Sequence, residues 1–219
     1  MTCGGRGLSI TDALIENQIV MSLRPLQRSE KSQSPQQPDR DQQMQSLQSC
    51  RKTVIISVDQ NDSMPAEKVA DYPRPPRLEA SPDHVLVRIG GKVLFDGHGC
   101  QRVLETFHPP TYYLPPNKIN QELLIPATGR SFCEWKGVAE YFDVMAGERR
   151  VHRAVWRYPS PTALFKNIAG WFALYPGLMD GCWINGEAVT PQAGGFYGGW
   201  ISSAVEGPFK GDPNHPELI

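Results

Sequence analysis

Short runs of alternating hydrophobic and polar residues fill the second half of the chain, and glycine and proline separate them. HVLVRI and KVLFD are two such runs, joined by Gly90-Gly91. Two β-prone runs with a two-glycine connection predict a hairpin. CWI-NG-EAV predicts a second hairpin, because Asn185-Gly186 is a favoured turn pair.

The remaining runs predict more strands and little helix. Further strands are expected at RVLET, SFCEW, VAEYFDVMA, VHRAVWRY and WFALYP, and HPPTYYLPP reads as extended. Gly147-Glu148 is the expected turn between VAEYFDVMA and VHRAVWRY. Two short helices are expected, one in NKINQELL capped by Asn117 and one in SPTALFKNIAG capped by Ser160. The sum predicts a mainly-β barrel or an open, folded-over sheet.

The first part of the chain has a different character. Its first fifty residues are rich in Gln, Ser and Arg and cannot bury enough apolar surface to offset the entropy of ordering them. We therefore predict a disordered extension over 1–70, a stiff proline-rich arm over 71–81 and a folded domain over 82–211. The glycine-rich tail of this domain begins at about residue 191. KTVIISVD (52–59) is a β-prone exception that would pair, if at all, with an edge of the domain.

Charge and cysteine content exclude several classes of function. The net charge is −1, so no bulk field attracts nucleic acid or an anionic membrane, and we expect neither as a partner. No stretch approaches the roughly 18 apolar residues that a membrane span needs. Asp12 and Glu16 interrupt any signal-peptide layout. The five cysteines are odd in number and form no CxxC pair, which favours reduced thiols in the cytoplasm.

Motifs for common cofactors and metals are missing from the sequence. It contains no GxxxxGK[ST] phosphate loop, no GxGxxG that opens a helix and no HExxH pair. A metal site would have to collect His98, His108, His152 and Cys133 from separate strands. We therefore predict no metal and no cofactor.

The stretch FCEWKG (132–137) is the best candidate for local chemistry. Cys133 lies near Lys136, and a close ammonium group stabilises a thiolate. On a strand, however, Cys133 and Trp135 would share a face, which favours an inert thiol packed beside an indole. A redox role would rest on Cys133 alone.

Aromatic residues on successive segments suggest a ligand site. Tyr112, Tyr113, Trp135, Tyr141, Trp156 and Tyr158 each have a polar or charged neighbour in sequence. Rings supply contact area and ionic groups supply orientation, which is what a small-ligand site requires. The alternative is that these rings only build the core of a small β domain.

From Asp71 to about Phe209 the chain resembles the domain-of-unknown-function family DUF427. The resemblance is carried by RVLETFHPPTYYLPP, FCEWKGVAEYF, AVWRYPSP and FYGGWISSAVEGPFKG. The lead-in DYPRPPRLE suits the longer members, found in cyanobacteria and fungi. Two features depart from the family pattern: Phe107 replaces a usual serine, and DPNHPELI replaces a Gly/Trp-rich end.

The resemblance implies a β-tent-like fold, in which two antiparallel sheets lean together with only short helices. Methionine sulfoxide reductase B and the thalidomide-binding domain of cereblon are similar folds. Their ligand cleft lies between the sheets and is often walled by tryptophans, here Trp135 and Trp156. Relatives in that group often hold zinc through two CxxC pairs, which this chain lacks. The family is sometimes labelled nucleotidyltransferase-like, but no Gly-Ser and paired-acid motif supports that activity here.

These observations leave two hypotheses for function. The first is a small-molecule cleft between two β-sheets, and an enzyme of unassigned reaction if the cleft is catalytic. Its walls would be Tyr113, Trp135, Tyr141, Trp156 and Tyr158; Arg102 and Lys136 would hold an anionic or carbonyl group; Glu105, His108 and Lys136 would be the catalytic candidates. The second is a non-catalytic interaction module, in which the proline-rich arm and the glycine-rich tail form the seam of a homodimer.

Overall fold

A computed structural model describes residues 65–218 of the chain. Most of the predicted N-terminal extension lies outside these residues, and so does the KTVIISVD run with its predicted edge pairing. Within 65–218, no helix has the length and hydropathy needed to span a membrane.

The described part is mainly β, with short 3-10 turns as its only helices. The strands are β1 (Glu67–Lys68), β2 (Arg77–Ala80), β3 (Val85–Ile89), β4 (Lys92–Gly97), β5 (Gln101–Leu104), β6 (Thr111–Tyr113), β7 (Leu124–Cys133), β8 (Gly137–Ala146), β9 (Arg149–Arg157), β10 (Phe172–Leu174), β11 (Gly181–Ile184), β12 (Glu187–Ala188), β13 (Thr190–Pro191), β14 (Trp200–Ile201) and β15 (Val205–Glu206). The 3-10 turns are Val69–Asp71, Gln121–Leu123, Ala163–Ile168, Pro176–Leu178 and Pro216–Leu218.

Two four-stranded antiparallel sheets form the frame of the fold. One has the order β12-β11-β3-β4 and the other the order β10-β9-β8-β7. A three-stranded antiparallel sheet, β2-β5-β6, and the two-stranded pairs β13-β14 and β1-β15 complete the described part. The predicted class, mainly β with antiparallel sheets and short helices, is confirmed, and the sheets are open.

The predicted hairpins are confirmed at both two-residue turns. Gly90 and Gly91 connect β3 to β4 with φ of 55° and 71°. Asn185 and Gly186 connect β11 to β12 with φ of 51° and 85°. Two successive residues with positive φ make the turn that matches the twist of the strands, and glycine and asparagine adopt this conformation at low cost.

The main core lies between the two four-stranded sheets. Side chains from β3, β4 and β11 pack there against side chains from β8, β9 and β10. Its members include Val85, Val87, Leu94, Phe142, Val155, Phe172, Leu174, Ile184 and Trp200. Burial of this apolar surface is the main stabilising term of the fold.

A second group of buried residues, the aromatic cluster, lies on the opposite face of the β10-β9-β8-β7 sheet. It contains Val103, Tyr113, Ala139, Tyr141, Trp156, Tyr158, Phe165, Ile168 and Ala173. The alternation of side chains along a strand produces this division. Tyr112 and Phe142 face the main core, whereas Tyr113 and Tyr141 belong to the aromatic cluster.

The folded part includes residues before the predicted start at Pro82. Val69 is completely buried and packs with Tyr72, Leu104 and Val205. The end of the proline-rich segment is strand β2, which pairs with β5. These residues fold onto the domain because the apolar side chains of Val69 and Tyr72 are buried there.

Both predicted helix caps are wrong. The cap of the first 3-10 turn is Asn120, whose side chain accepts a hydrogen bond from Glu122 N at 3.2 Å, and not Asn117. The second begins after Thr162 rather than Ser160, and the Thr162 hydroxyl donates instead to Trp135 O at 2.6 Å. Ahead of the first 3-10 turn, Lys118 N and Ile119 N both donate to Pro115 O, so the helical turn begins later than predicted.

Candidate functional site

A cavity of about 370 Å³ lies beside the aromatic cluster. It is bordered by the three-stranded sheet, by strands β7 to β9, by the turn that joins β7 to β8, and by the segment after β13. The structure brings together eight of the nine residues that the sequence predicts as site residues: Glu105, His108, Tyr113, Trp135, Lys136, Tyr141, Trp156 and Tyr158. The space between the two four-stranded sheets is instead filled by the main core.

Strand pairing places aromatic side chains next to each other in the walls of the cavity. Tyr141 of β8 lies directly opposite Trp156 of β9 in the antiparallel register. The Trp156 ring also packs against Tyr175 with centroids 4.6 Å apart. Tyr113 is fully buried and forms the floor. The rings therefore both pack as a cluster and bound a void.

Two phenols of the site, those of Tyr113 and Tyr158, are held neutral by burial. Burial raises the pKa of Tyr113 and of Tyr158 far above the ordinary value, so neither ionises near neutral pH. The Tyr141 hydroxyl lies 2.7 Å from Ser131 Oγ. The guanidinium carbon of Arg153 stacks on the Tyr141 ring, 3.8 Å from its centroid.

Two of the carboxylates at the site are already paired. Arg74 lies 3.7 Å from Glu105 and 3.1 Å from Glu134, and its guanidinium also lies over Trp135, 5.8 Å from the ring centroid. Lys136 and Lys210 also line the cavity. Within residues 65–218, neither ammonium group has a carboxylate within ion-pair distance.

Glu105 and His108 occupy the two ends of one tight turn. His108 N donates to Glu105 O at 2.9 Å, and Phe107 between them has a φ of 63°. A left-handed conformation is unusual for a bulky residue and requires support from its surroundings. Phe107 N donates to Val69 O at 2.9 Å, and Lys210 N donates to Phe107 O at 2.7 Å. Segments from both ends of the domain thus hold the turn.

Burial lowers the pKa of His108 below its ordinary value, and the nearby Lys210 and Lys136 lower it further. The Glu105 carboxylate acts in the opposite direction without reversing the shift. His108 is therefore a neutral imidazole near pH 7.

The glycine-rich tail forms one side of the cavity. Phe196, Tyr197, Gly198 and Lys210 line it. The Gly198 Cα lies so close to the Trp156 indole that a β-carbon there would overlap the ring. Glycine is needed at this position because the backbone must approach the ring closely.

Arg102 is the predicted site residue that the structure places elsewhere. Its guanidinium donates to Glu67 Oε1 at 2.7 Å and to Glu79 Oε1 at 2.6 Å, outside the aromatic cavity. Glu79 lies opposite Arg102 in the pairing of β2 with β5. Two carboxylates already occupy the donors that the prediction assigned to a ligand.

The FCEWKG stretch ends a strand and turns. Strand β7 stops at Cys133, and Glu134, Trp135 and Lys136 form the turn to β8. The prediction that Cys133 and Trp135 share one face of a strand is therefore wrong. Cys133 is partly buried and lines the cavity beside Tyr158. The Trp135 Nε1 is buried and has no hydrogen-bond partner within the described residues.

Several lining residues were not predicted as site residues. Arg74, Gln192 and Lys210 come from the two ends of the domain and carry no local motif. Arg74 lies in the proline-rich arm, and Gln192 and Lys210 lie in the glycine-rich tail. These two segments were predicted to form the seam of a homodimer and not the wall of a cavity. Among residues 65–218, no three His, Cys, Asp or Glu side chains lie close enough together to hold a metal ion.

Comparison with known protein families places part of the chain in one of them. Residues 77–185 match the family described as a domain of unknown function, DUF427. No curated protein matches the chain. The matched segment contains the aromatic walls, Glu105, His108 and Lys136. Arg74, Gln192 and the lining residues of the tail lie outside it.

Proposed function

We propose that this chain, which belongs to the DUF427 family, binds a small molecule with a flat apolar body and an anionic group. The observation that carries this proposal is the presence of Lys136 and Lys210, two ammonium groups without carboxylate partners in the described residues, beside an aromatic cavity. An unpaired cation beside a cavity with aromatic walls favours an anionic ligand, because Coulomb attraction is stronger where the effective dielectric constant is below that of water.

The size and lining of the cavity support a small ligand. About 370 Å³ is at the lower end of the range for small-molecule sites. The indoles of Trp135 and Trp156 supply flat apolar contact area, and their rings lose little conformational entropy when a ligand binds. Carboxylate, sulfonate and phosphate groups all suit the two ammonium groups.

We also propose that the chain is an enzyme whose reaction is not yet assigned. Glu105 and His108 supply a carboxylate and a neutral imidazole at the same cavity, which are the usual groups for proton transfer. Lys136 would hold the charge that develops on the substrate. The free, buried thiols of Cys100 and Cys182 support a reducing compartment such as the cytoplasm.

Benzenesulfonate is a suitable probe because it joins a flat ring to a permanent anion. The chain has five tryptophans, so the indole N–H region of a ¹⁵N–¹H spectrum has five assignable signals. Addition of benzenesulfonate should shift the signals of Trp135 and Trp156, which line the cavity, and leave that of Trp200 in the main core unchanged. Benzyl alcohol, the neutral control, should give much smaller shifts at equal concentration. Shifts at Trp200 alone, or equal shifts with both compounds, would count against the proposal.

A second candidate function is association of two copies through the cavity mouth. Phe132 and Phe196 both line the cavity and are 76% and 77% exposed, which is high for large apolar side chains. Light scattering on the full chain and on the double variant Phe132→Ser/Phe196→Ser tests this function. A dimer mass that falls to the monomer mass in the variant would support it, and a monomer mass in both would exclude it. Removal of the tail is a poor test, because Trp200 is fully buried in the main core.

A further inference from the structure

Gln192 makes two hydrogen bonds through a single nitrogen atom. Its side chain is buried, with 4% exposed, and Nε2 lies 2.8 Å from Lys210 O and 3.1 Å from His108 Nδ1. A backbone carbonyl oxygen can only accept, so the Gln192 atom that faces Lys210 O must be the amide nitrogen. The same NH₂ group has a second hydrogen, which is directed to His108.

The direction of the second hydrogen bond determines the tautomer of His108. Gln192 Nε2 only donates, so His108 Nδ1 must accept and cannot carry a proton. A neutral imidazole has one N–H, which then resides on Nε2. His108 Nε2 has no partner within the described residues, and it is not among the buried polar atoms that lack one, so it keeps accessible surface on a residue that lines the cavity.

We propose that Gln192 is a positioning residue that fixes His108 as a hydrogen-bond donor, with its Nε2–H available to a ligand in the cavity. Tyr197 supports the ring from the side, with an edge-to-face contact at 5.0 Å between centroids. The charged groups near His108 are Glu105 on its own turn, Lys136 on the β7–β8 turn and Lys210 on the tail.

This assignment narrows the ligand class and rests on the proposed function. Lys136, Lys210 and His108 Nε2 are then three donors, and the Glu105 carboxylate is paired with Arg74. The polar end of the ligand should therefore carry acceptor oxygens only, as a carboxylate or sulfonate does. The assignment also divides the candidate roles: in the resting state the neutral His108 ring can donate a hydrogen bond through Nε2–H, and the role of proton acceptor passes to Glu105.

The tautomer can be measured directly in the full chain labelled with ¹⁵N-histidine. A long-range ¹⁵N–¹H spectrum distinguishes a protonated ring nitrogen from an unprotonated one, and the variant His108→Phe identifies the signals of His108. We expect Nε2 to be protonated and Nδ1 unprotonated at neutral pH in the wild type. The reverse pattern, or a doubly protonated ring, would overturn the inference.

Gln192→Glu tests whether Gln192 causes the pattern. A carboxylate accepts where the amide donated, so His108 Nδ1 should become protonated, as the other tautomer or as the imidazolium. An unchanged wild-type pattern in a folded Gln192→Glu variant would overturn the role of Gln192. Unchanged indole signals establish the fold; if this variant does not fold, the wild-type spectrum alone decides. A wild-type Nε2–H pattern without any response to benzenesulfonate would uphold the tautomer and reject the proposed anion site.

Discussion

The Trp156 indole lies against the backbone of Gly198, and the space that a β-carbon would need at position 198 is occupied by the ring. Trp156 lies in the matched family segment, whereas Gly198 lies beyond it. The contact therefore joins the segment that matches the family to the tail at the wall of the cavity. It makes the tail part of the site and not a separate surface.

Gly198→Ala should destabilise the protein by about 1–3 kcal/mol, because the added methyl group overlaps the Trp156 ring and Leu174 O. Denaturant unfolding measures this loss. Gly177→Ala is the matched control: its β-carbon would lie 3.5 Å from Pro191 Cβ, an ordinary contact, and should change stability by less than about 0.5 kcal/mol. Equal unfolding midpoints for the two variants would show that the tail does not pack on Trp156.

Arg102→Met should lower stability without lowering the affinity for benzenesulfonate. The guanidinium is the shared donor to Glu67 and Glu79, so its removal should cost about 1–3 kcal/mol. The variant Arg88→Met, at an exposed arginine, is the control for the loss of a surface charge and should be nearly neutral. A large loss of probe affinity in Arg102→Met, with stability unchanged, would restore the original prediction that Arg102 contacts the ligand.

Asp143 should make the stability of the protein depend on acid pH. This carboxylate is completely buried in β8. Burial alone would raise its pKa, but the Arg153 N–H at 2.8 Å and the Arg150 guanidinium at 2.7 Å together lower the pKa below the ordinary value. Its folded pKa is thus below its unfolded pKa of about 4, so its contribution is complete above pH 4 and is lost as the pH falls further.

The matching experiment compares wild type with Asp143→Asn from pH 7 to pH 3 by denaturant unfolding. At pH 7 the variant should be less stable by about 1–3 kcal/mol, because an amide replaces an ionised acceptor. The difference should shrink as the wild-type carboxylate becomes protonated. A difference that stays constant over this range would mean that the Asp143 charge does not stabilise the fold.

The sequence predicts those features of the fold that depend on neighbouring residues. The Gly90-Gly91 and Asn185-Gly186 hairpins are correct because a two-residue turn is a local property of the backbone. Trp156 and Tyr158 lie two residues apart in the predicted strand VHRAVWRY, and both belong to the aromatic cluster because side chains alternate along a strand. The period of two carries this information outside the bulges, which interrupt it in the β7–β8 and β8–β9 pairings.

Prediction from the sequence fails where the position of a side chain depends on segments that are distant along the chain. Arg102 was predicted to contact a ligand. Its partners, Glu67 and Glu79, become evident only from the pairing of β2 with β5 and from the position of the segment before β2. Gln192 and Lys210 were missed for the same reason, since they reach His108 only through the path of the tail. Glutamine has no motif signal, and its role depends on which two acceptors lie within reach.

The most direct test of the account is the benzenesulfonate affinity of the double variant Lys136→Met/Lys210→Met relative to wild type, measured by titration of the Trp135 and Trp156 indole signals. Loss of two charged contacts should weaken binding by at least about a hundredfold, since each such contact contributes roughly 1.5–3 kcal/mol. Lys166→Met, which removes an exposed lysine outside the cavity, should bind as wild type does. Wild-type affinity in the double variant would contradict the claim that this cavity recognises an anion.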